Sequence, residues 1–182
     1  NPAITLTFYR LGKVARWDAN FYVIAQFVGG ALGAIVAAFA LSPWAAHPAV
    51  NFVVTAPGSW GRPAAFVAEI IITFLLMTVI LHVSNNSRLH QLTGLCAGAL
   101  ALAYITVEAP ISGMSMNPAR SLASAIPARH WAALWIYFSA PVIGMLAAAP
   151  VYTYGKFPGH VGCAKLHHEN SRRCIFCGKP AG

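Results

Sequence analysis

The chain has 182 residues, of which 58% are hydrophobic and only 9% charged, with a mean hydropathy of +0.62. So few charged side chains cannot coat a water-soluble surface, so the composition excludes an ordinary soluble domain and places the chain in a bilayer. The formal charge of +8 does not indicate nucleic acid either, because the twelve Lys and Arg are scattered between apolar runs and form no basic stripe.

The chain opens on Asn1-Pro2-Ala3, and the same triplet recurs at Asn117-Pro118-Ala119. Asn is a favoured helix N-cap, and Pro is tolerated at the first helical position, where the amide hydrogen it lacks has no partner anyway. Each triplet therefore predicts a helix start. The first helix, over 3–11, is far too short to cross about 30 Å of hydrocarbon and reads as a half helix. Arg10, Lys13 and Arg16 follow it, with Asp18 or Asn20 as the expected cap of a span over 19–41. Inside that span Gly29 and Gly33 offer a small-residue face for close helix packing.

Residues 42–62 are broken by Pro43, Pro48, Pro57, Gly58 and Gly61 and carry Trp44 and Trp60, as an extracellular loop beside an aromatic belt does. Residues 1–62 thus read as an incomplete first repeat. The complete second repeat covers 63–155. It holds a span over 64–85 that carries Glu69, a loop with Arg88, and a span over 91–109 in which Gly94 and Gly98 repeat the close-packing spacing. A half helix over 118–126, stopped by Pro127, and a last span over 131–154 follow. Trp131, Trp135, Tyr152 and Tyr154 are its interfacial anchors and Pro141 a kink. A basic tail occupies 156–182.

Cytoplasmic loops of membrane proteins carry the excess of Lys and Arg. With the tail inside, nine of the twelve basic residues (Arg10, Lys13, Arg16, Arg88, Lys156, Lys165, Arg172, Arg173 and Lys179) are cytoplasmic, Arg62 and Arg129 are outside, and Arg120 remains in the membrane. The asymmetry fits four spans. It also makes the two half helices enter from opposite faces and meet near the midplane, as in inverted repeats.

Two helix N-termini at one spot place about half an elementary positive charge each where a permeant passes, which repels cations. The carboxamides of Asn1 and Asn117 add donors there, so a passing water turns its oxygen toward them and cannot sustain proton hops. Arg120 adds a full charge and a fork of donors. The irregular stretch Ser112 to Met116 is acceptable at membrane depth if it lines a wet cavity or is buried in protein, and carbonyls such as those of Gly113 and Ser115 then supply acceptors. Glu69 reads either as an anchor accepting the amides of that loop or as a proton-relay group. Gln26 and Thr73 read as packing or internal hydrogen-bond residues.

These residues give the chain a resemblance to the aquaporin, or major intrinsic protein, family. It rests on Asn1-Pro2-Ala3-Ile4-Thr5-Leu6, on Pro110-Ile111-Ser112-Gly113-Met114-Ser115-Met116-Asn117-Pro118-Ala119-Arg120-Ser121, and on Glu69 with Thr73-Phe74, and it covers about residues 1–155. The 110–121 run is similar to the plant nodulin-26-like members and their bacterial relatives. The resemblance implies an all-α inverted-repeat bundle with two re-entrant half helices, assembled as homotetramers with one pore per subunit in the plasma membrane. Members have six spans, so it also implies that the first two are missing here. It assigns three filter positions: Arg120, Met114 and Ile105. Strict water channels carry His at the position of Ile105, so the implied permeants are water and small uncharged solutes such as glycerol, with a strict water channel as the alternative.

Two other classes stay open. A secondary transporter requires a titratable coupling group, for which Glu69 and Glu108 are the candidates, and a pore-incompetent fragment shows no permeability. The spans hold no nucleophile-base pair or metal triad, so no enzyme and no cofactor are expected. In the tail, Cys174-x-x-Cys177 with Cys163, His167 and His168 upstream offers zinc-type ligands at partly suitable spacing. One C-x-x-C does not assign a metal, and reducible thiols on a solvated tail are the ordinary reading.

Overall fold

The computed structural model describes residues 1–155, 159–165 and 173–179; Lys156, His167, His168 and Arg172 lie outside the described residues. Seven α-helices account for the regular structure among them: α1 (Pro2–Arg10), α2 (Arg16–Ala40), α3 (Gly61–Ser84), α4 (Thr93–Val107), α5 (Ala109–Ser112), α6 (Pro118–Ala128) and α7 (Leu134–Tyr154). Short 3-10 turns at Asn51–Val53 and His90–Leu92 interrupt the connections. Among the described residues four segments are long and apolar enough to cross a membrane: Arg16–Ala40, Gly61–Ser84, His90–Val107 and Leu134–Tyr154.

Both triplets start helices. The Asn1 side chain accepts the Ala3 amide hydrogen at 3.0 Å, and Asn117 accepts those of Ala119 and Arg120 at 3.0 and 3.4 Å. In each case Pro follows in the first turn, where no intrahelical donor is lost. Several expected boundaries move. Helix α2 begins at Arg16 behind Ala15, with no side-chain cap. Asp18 and Asn20 are already helical, and Asp18 complements the positive end of the helix from within the first turn instead of capping it. Pro127 does not stop α6. A proline in the last turn removes one hydrogen bond without breaking the helix, and α6 ends where Arg129 turns left-handed at φ 49°. The expected span over 91–109 breaks at Glu108, because Pro110 cannot donate to the ladder, and α5 begins there.

Helix α3 packs chiefly against α7, and α2 against α6. The core runs through Ile72, Leu76, Met77, Ile80 and Leu81 of α3 and Met145, Ala148 and Tyr152 of α7, and it includes Ala3, Phe8, Met114 and Met116. Among the described residues the glycines expected at close crossings meet no neighbour: a Cβ on Gly29, Gly33, Gly94 or Gly98 finds nothing within 4 Å. The tight crossing is at Gly144 of α7, which lies directly against Thr73 and Ile70 of α3 with no room for a Cβ. Gly30, one residue from the expected face, sits against Ala119 and Ala123 of α6. Spacing alone finds a small-residue face but not its partner. Phe21, Ile24, Val28, Leu32, Val36 and Phe39 leave α2 with an exposed apolar surface, which water does not tolerate and lipid does.

Gly144→Ala should destabilise the bundle by about 1–3 kcal/mol, the usual cost of overpacking, whereas Gly29→Ala should be neutral or slightly stabilising. Thermal unfolding of the detergent-solubilised variants checks the contrast; equal effects would remove Gly144 from the crossing.

Candidate functional site

Helix α3 presents Glu69, fully buried, toward the loop between α5 and α6. Its Oε1 accepts the Ser112 hydroxyl at 2.8 Å and the Ser115 amide at 2.6 Å, and its Oε2 accepts the Met116 amide at 2.9 Å. From α7, the buried Tyr137 hydroxyl donates to the Ser112 carbonyl at 2.6 Å. The loop is thus held from two helices. Its backbone is left-handed at Gly113 (φ 81°), Met114 (φ 49°) and Met116 (φ 53°). That region is uncommon for residues with a Cβ and costs of order 1–3 kcal/mol each. The Glu69 bonds offset this by giving buried amides a charged acceptor, contributing about 1.5–3 kcal/mol each.

The loop delivers the chain to α6 in a fixed pose. The Ser115 hydroxyl bonds to Ser121 at 2.5 Å and to the Asn117 carbonyl at 3.1 Å, so the helix start is tied to the loop by both backbone and side chain. The Asn1 carboxamide then donates to the Met116 carbonyl at 2.7 Å. This bond joins the N-cap of α1 to the residue preceding the N-cap of α6, so the two short helices meet N-terminus to N-terminus. Each uses its Asn side-chain oxygen for capping. One hydrogen of the Asn1 amide remains beyond the Met116 bond, and the Asn117 amide makes no hydrogen bond to the described residues. Gln26 of α2 donates to Thr5 at 3.1 Å, steadying α1 from its side.

Arg120, in the first turn of α6, is half-buried, and its guanidinium donates to the Thr55 hydroxyl at 2.8 Å. Thr55 is 3% exposed and also accepts from Ser121 at 3.1 Å. Of the five guanidinium N–H donors, this bond uses one. The loop carrying Thr55 is stitched to the 110–113 stretch: the Gly58 amide donates to the Ile111 carbonyl at 2.9 Å, and Gly58 lies so close to Pro110 that no Cβ fits. Along α6 from Arg120, a mostly apolar cavity of about 510 Å³ opens between α2, the 44–53 loop and α6, with Leu41, Trp44, Phe52 and Ser124 among its walls.

The structure therefore gathers Asn1, Pro2, Ala3, Glu69, Gly113, Ser115, Asn117, Pro118, Ala119 and Arg120 around one junction. Met114 is buried at its edge, 7% exposed. Ile105 lies on α4 with 57% of its surface exposed and belongs to no buried cluster. Glu108 is 7% exposed, and its carboxylate makes no hydrogen bond of ordinary geometry among the described residues. Sequence reasoning missed Thr55, Gly58 and Tyr137. The Pro57-Gly58 turn signal locates a bend but not its contact with Pro110, and Tyr137 is hidden inside an apolar run.

Glu69→Ala should destabilise the protein by about 3–5 kcal/mol, as breaking a buried charged cluster does, which lowers the midpoint of thermal unfolding by about 10 °C. Glu69→Gln should recover little of this, because its NH2 opposes the loop donors. A Gln variant with wild-type thermal stability in detergent would count against the carboxylate as the tie.

Residues 1–152 match the family model described as major intrinsic protein. Aquaporin NIP2-2 of Zea mays is 40% identical over 158 residues, covering 86% of this chain and 52% of that protein. Aquaporin NIP3-1 of Oryza sativa subsp. japonica is 38% identical over 175 residues, covering 95% and 55%. The chain thus spans about half the length of these curated relatives. The X-ray structure of the aquaglyceroporin from Plasmodium falciparum aligns with a TM-score of 0.74 over 85% of this chain and 71% of that one; at 18% identity it speaks for the fold. The chain is a multi-pass membrane protein of the major intrinsic protein family, with the aquaporin-like helical fold.

Proposed function

We propose that this chain supplies the central constriction of a passive channel for water and small uncharged solutes such as glycerol, closed to protons and ions. The observation that carries the reading is the meeting of two Asn-capped half helices through the 2.7 Å bond from Asn1 to the Met116 carbonyl. Two helix N-termini at one point present about half a positive charge each, so a cation leaving water gains no compensating contact there. The amide hydrogens left on Asn1 and Asn117 donate to the oxygen of a passing water, which turns its hydrogens away on both sides and interrupts a proton wire.

In this reading Arg120, Met114 and Ile105 form the filter, and the carbonyls of Gly113 and Ser115 accept hydrogen bonds along the path. Arg120 is steadied by Thr55, and among the described residues that bond takes one of its five donors, leaving others for permeant hydroxyls. Ile105 and Met114 present apolar wall to carbon-bound hydrogens, which favours small neutral solutes over water alone. The working unit is a homotetramer in the plasma membrane, each subunit completed by two further spans, with the tail on the cytoplasmic face where the basic residues concentrate.

Stopped-flow light scattering of proteoliposomes tests this with an impermeant osmolyte and then with glycerol, comparing the chain alone with one extended by two N-terminal spans. The extended chain should shrink fast in the first and re-swell in the second. Fast shrinkage without re-swelling identifies a strict water channel, and no flux from either chain overturns the channel reading. In a conducting background, Arg120→Ala should admit cations and larger solutes, and Thr55→Val should shift selectivity in the same direction by a smaller amount. Unchanged selectivity in both would remove Arg120 from the filter.

A further inference from the structure

Outside the membrane junction, the described residues converge chemically at one other place. The Sγ atoms of Cys163, Cys174 and Cys177 all lie within 4.8 Å of one another, and those of Cys163 and Cys174 are 3.6 Å apart. A disulfide needs about 2.05 Å and takes two sulfurs, not three. Thiolates sharing one tetrahedral zinc at about 2.3 Å stand about 3.8 Å from each other. The Cys163–Cys174 pair already has that spacing, and the Cys177 sulfur lies close enough to reach the same centre with a small side-chain adjustment.

The backbone is shaped to keep them there. From Cys174 to Lys179 the chain closes a tight turn: the Cys174 amide donates to the Lys179 carbonyl and the Gly178 amide to the Cys174 carbonyl, both at 2.9 Å. Gly178 takes φ 71°, a left-handed conformation that costs glycine nothing. Arg173 donates from Nε to the Gly178 carbonyl at 3.0 Å, bracing the same turn. A backbone amide also donates to one of the sulfurs, that of Lys165 to Cys163 at 3.3 Å. Lys165, Arg173 and Lys179 lie within two residues of these cysteines in sequence, a positive setting for the net negative charge that three thiolates leave on a divalent ion.

The cluster is also seated on the helix bundle. The Gly162 amide donates to Asn85, at the end of α3, at 2.8 Å, and Val161 and Cys174 are each 4% exposed. The Phe176 ring lies 6.2 Å from that of Tyr22 on α2. Two chain segments, 159–165 and 173–179, are thereby held on the same end of the molecule.

We infer that Cys163, Cys174 and Cys177 form a zinc site that fastens the tail to the ends of α2 and α3. Three thiolates are soft donors of the kind that select Zn²⁺ over the hard cations, and among the described residues no fourth His, Cys, Asp or Glu joins them. The fourth tetrahedral position is thus open to water or a further donor. Binding would release the thiol protons, involves no oxidation, and ties together two segments that the sequence separates.

The test uses the full chain in detergent, reduced with a phosphine and stripped of metal by chelator dialysis. Titrated with Co²⁺ alone, it should develop a thiolate-to-cobalt charge-transfer band that saturates at one ion per chain and disappears on adding Zn²⁺. Cys163→Ser and Cys174→Ser should lose the band, with the helical circular dichroism of the bundle unchanged, while Cys96→Ser, in α4, should keep it. Alkylation of the unmutated chain read by mass spectrometry gives a second measurement that needs no variant: Zn²⁺ should protect three of the four thiols and leave Cys96 to react. No charge-transfer band from the reduced chain, an undiminished band in Cys163→Ser, or equal alkylation of all four thiols with and without Zn²⁺ would each overturn the site.

Discussion

A single buried carboxylate fixes the geometry on which the rest of this molecule depends. Glu69 sits in the middle of an apolar helix, where an unpaired charge costs several kcal/mol, and the 112–116 loop carries amides in left-handed conformations that no helix or strand can satisfy. Neither is stable alone at that depth. Together they close, because the carboxylate takes one hydroxyl and two amides in bonds of 2.6–2.9 Å. Tyr137 completes the arrangement from α7, and Gly144 lets α3 and α7 come close enough for both to reach the same loop.

From that tie the constraint passes along the chain to function. The loop ends at Asn117, so fixing Met116 fixes the start of α6, and the Met116 carbonyl in turn receives the Asn1 carboxamide and locates the start of α1. In the proposed channel, helix dipoles act on a permeant only if their ends hold still, since the field of a helix terminus falls off within about one turn. A loop free to move would blur both. Arg120 is handled the same way, with Thr55 fixing the guanidinium from a connection that spacing alone treats as plain loop.

The sequence was legible wherever a signal is local. Asn followed by Pro marks a helix start because the cap and the missing donor are properties of adjacent residues, and both triplets begin helices. Uninterrupted apolar length likewise announces the four membrane-crossing segments. Boundaries were less legible where two local signals compete: Asp18 and Asn20 are good caps, yet α2 starts at Arg16, and Pro127 is a helix breaker, yet α6 continues to Ala128. In the first case the exposed Arg16 and Trp17 continue the helix past the better cap, with Asp18 complementing its positive end from the first turn, and in the second a proline in the last turn has little helix left to break. The glycine pairs show the limit most plainly. Gly29, Gly33, Gly94 and Gly98 have the right spacing and meet no neighbour, while a lone glycine, Gly144, carries the close crossing.

What the amino-acid sequence determined by itself is the membrane class, the long spans and the two Asn-Pro-Ala helix starts, because each rests on hydrophobic length or on chemistry within a few residues. What only the tertiary structure decided is which distant groups meet. Glu69 with Ser115, Asn1 with Met116, Arg120 with Thr55, and Cys163 with the Cys174-x-x-Cys177 turn are separated by between 11 and 115 residues. No periodicity spans such gaps. The first three follow from how the helices and the loops between them pack, and the last from two tail segments that dock beside Asn85 and Tyr22.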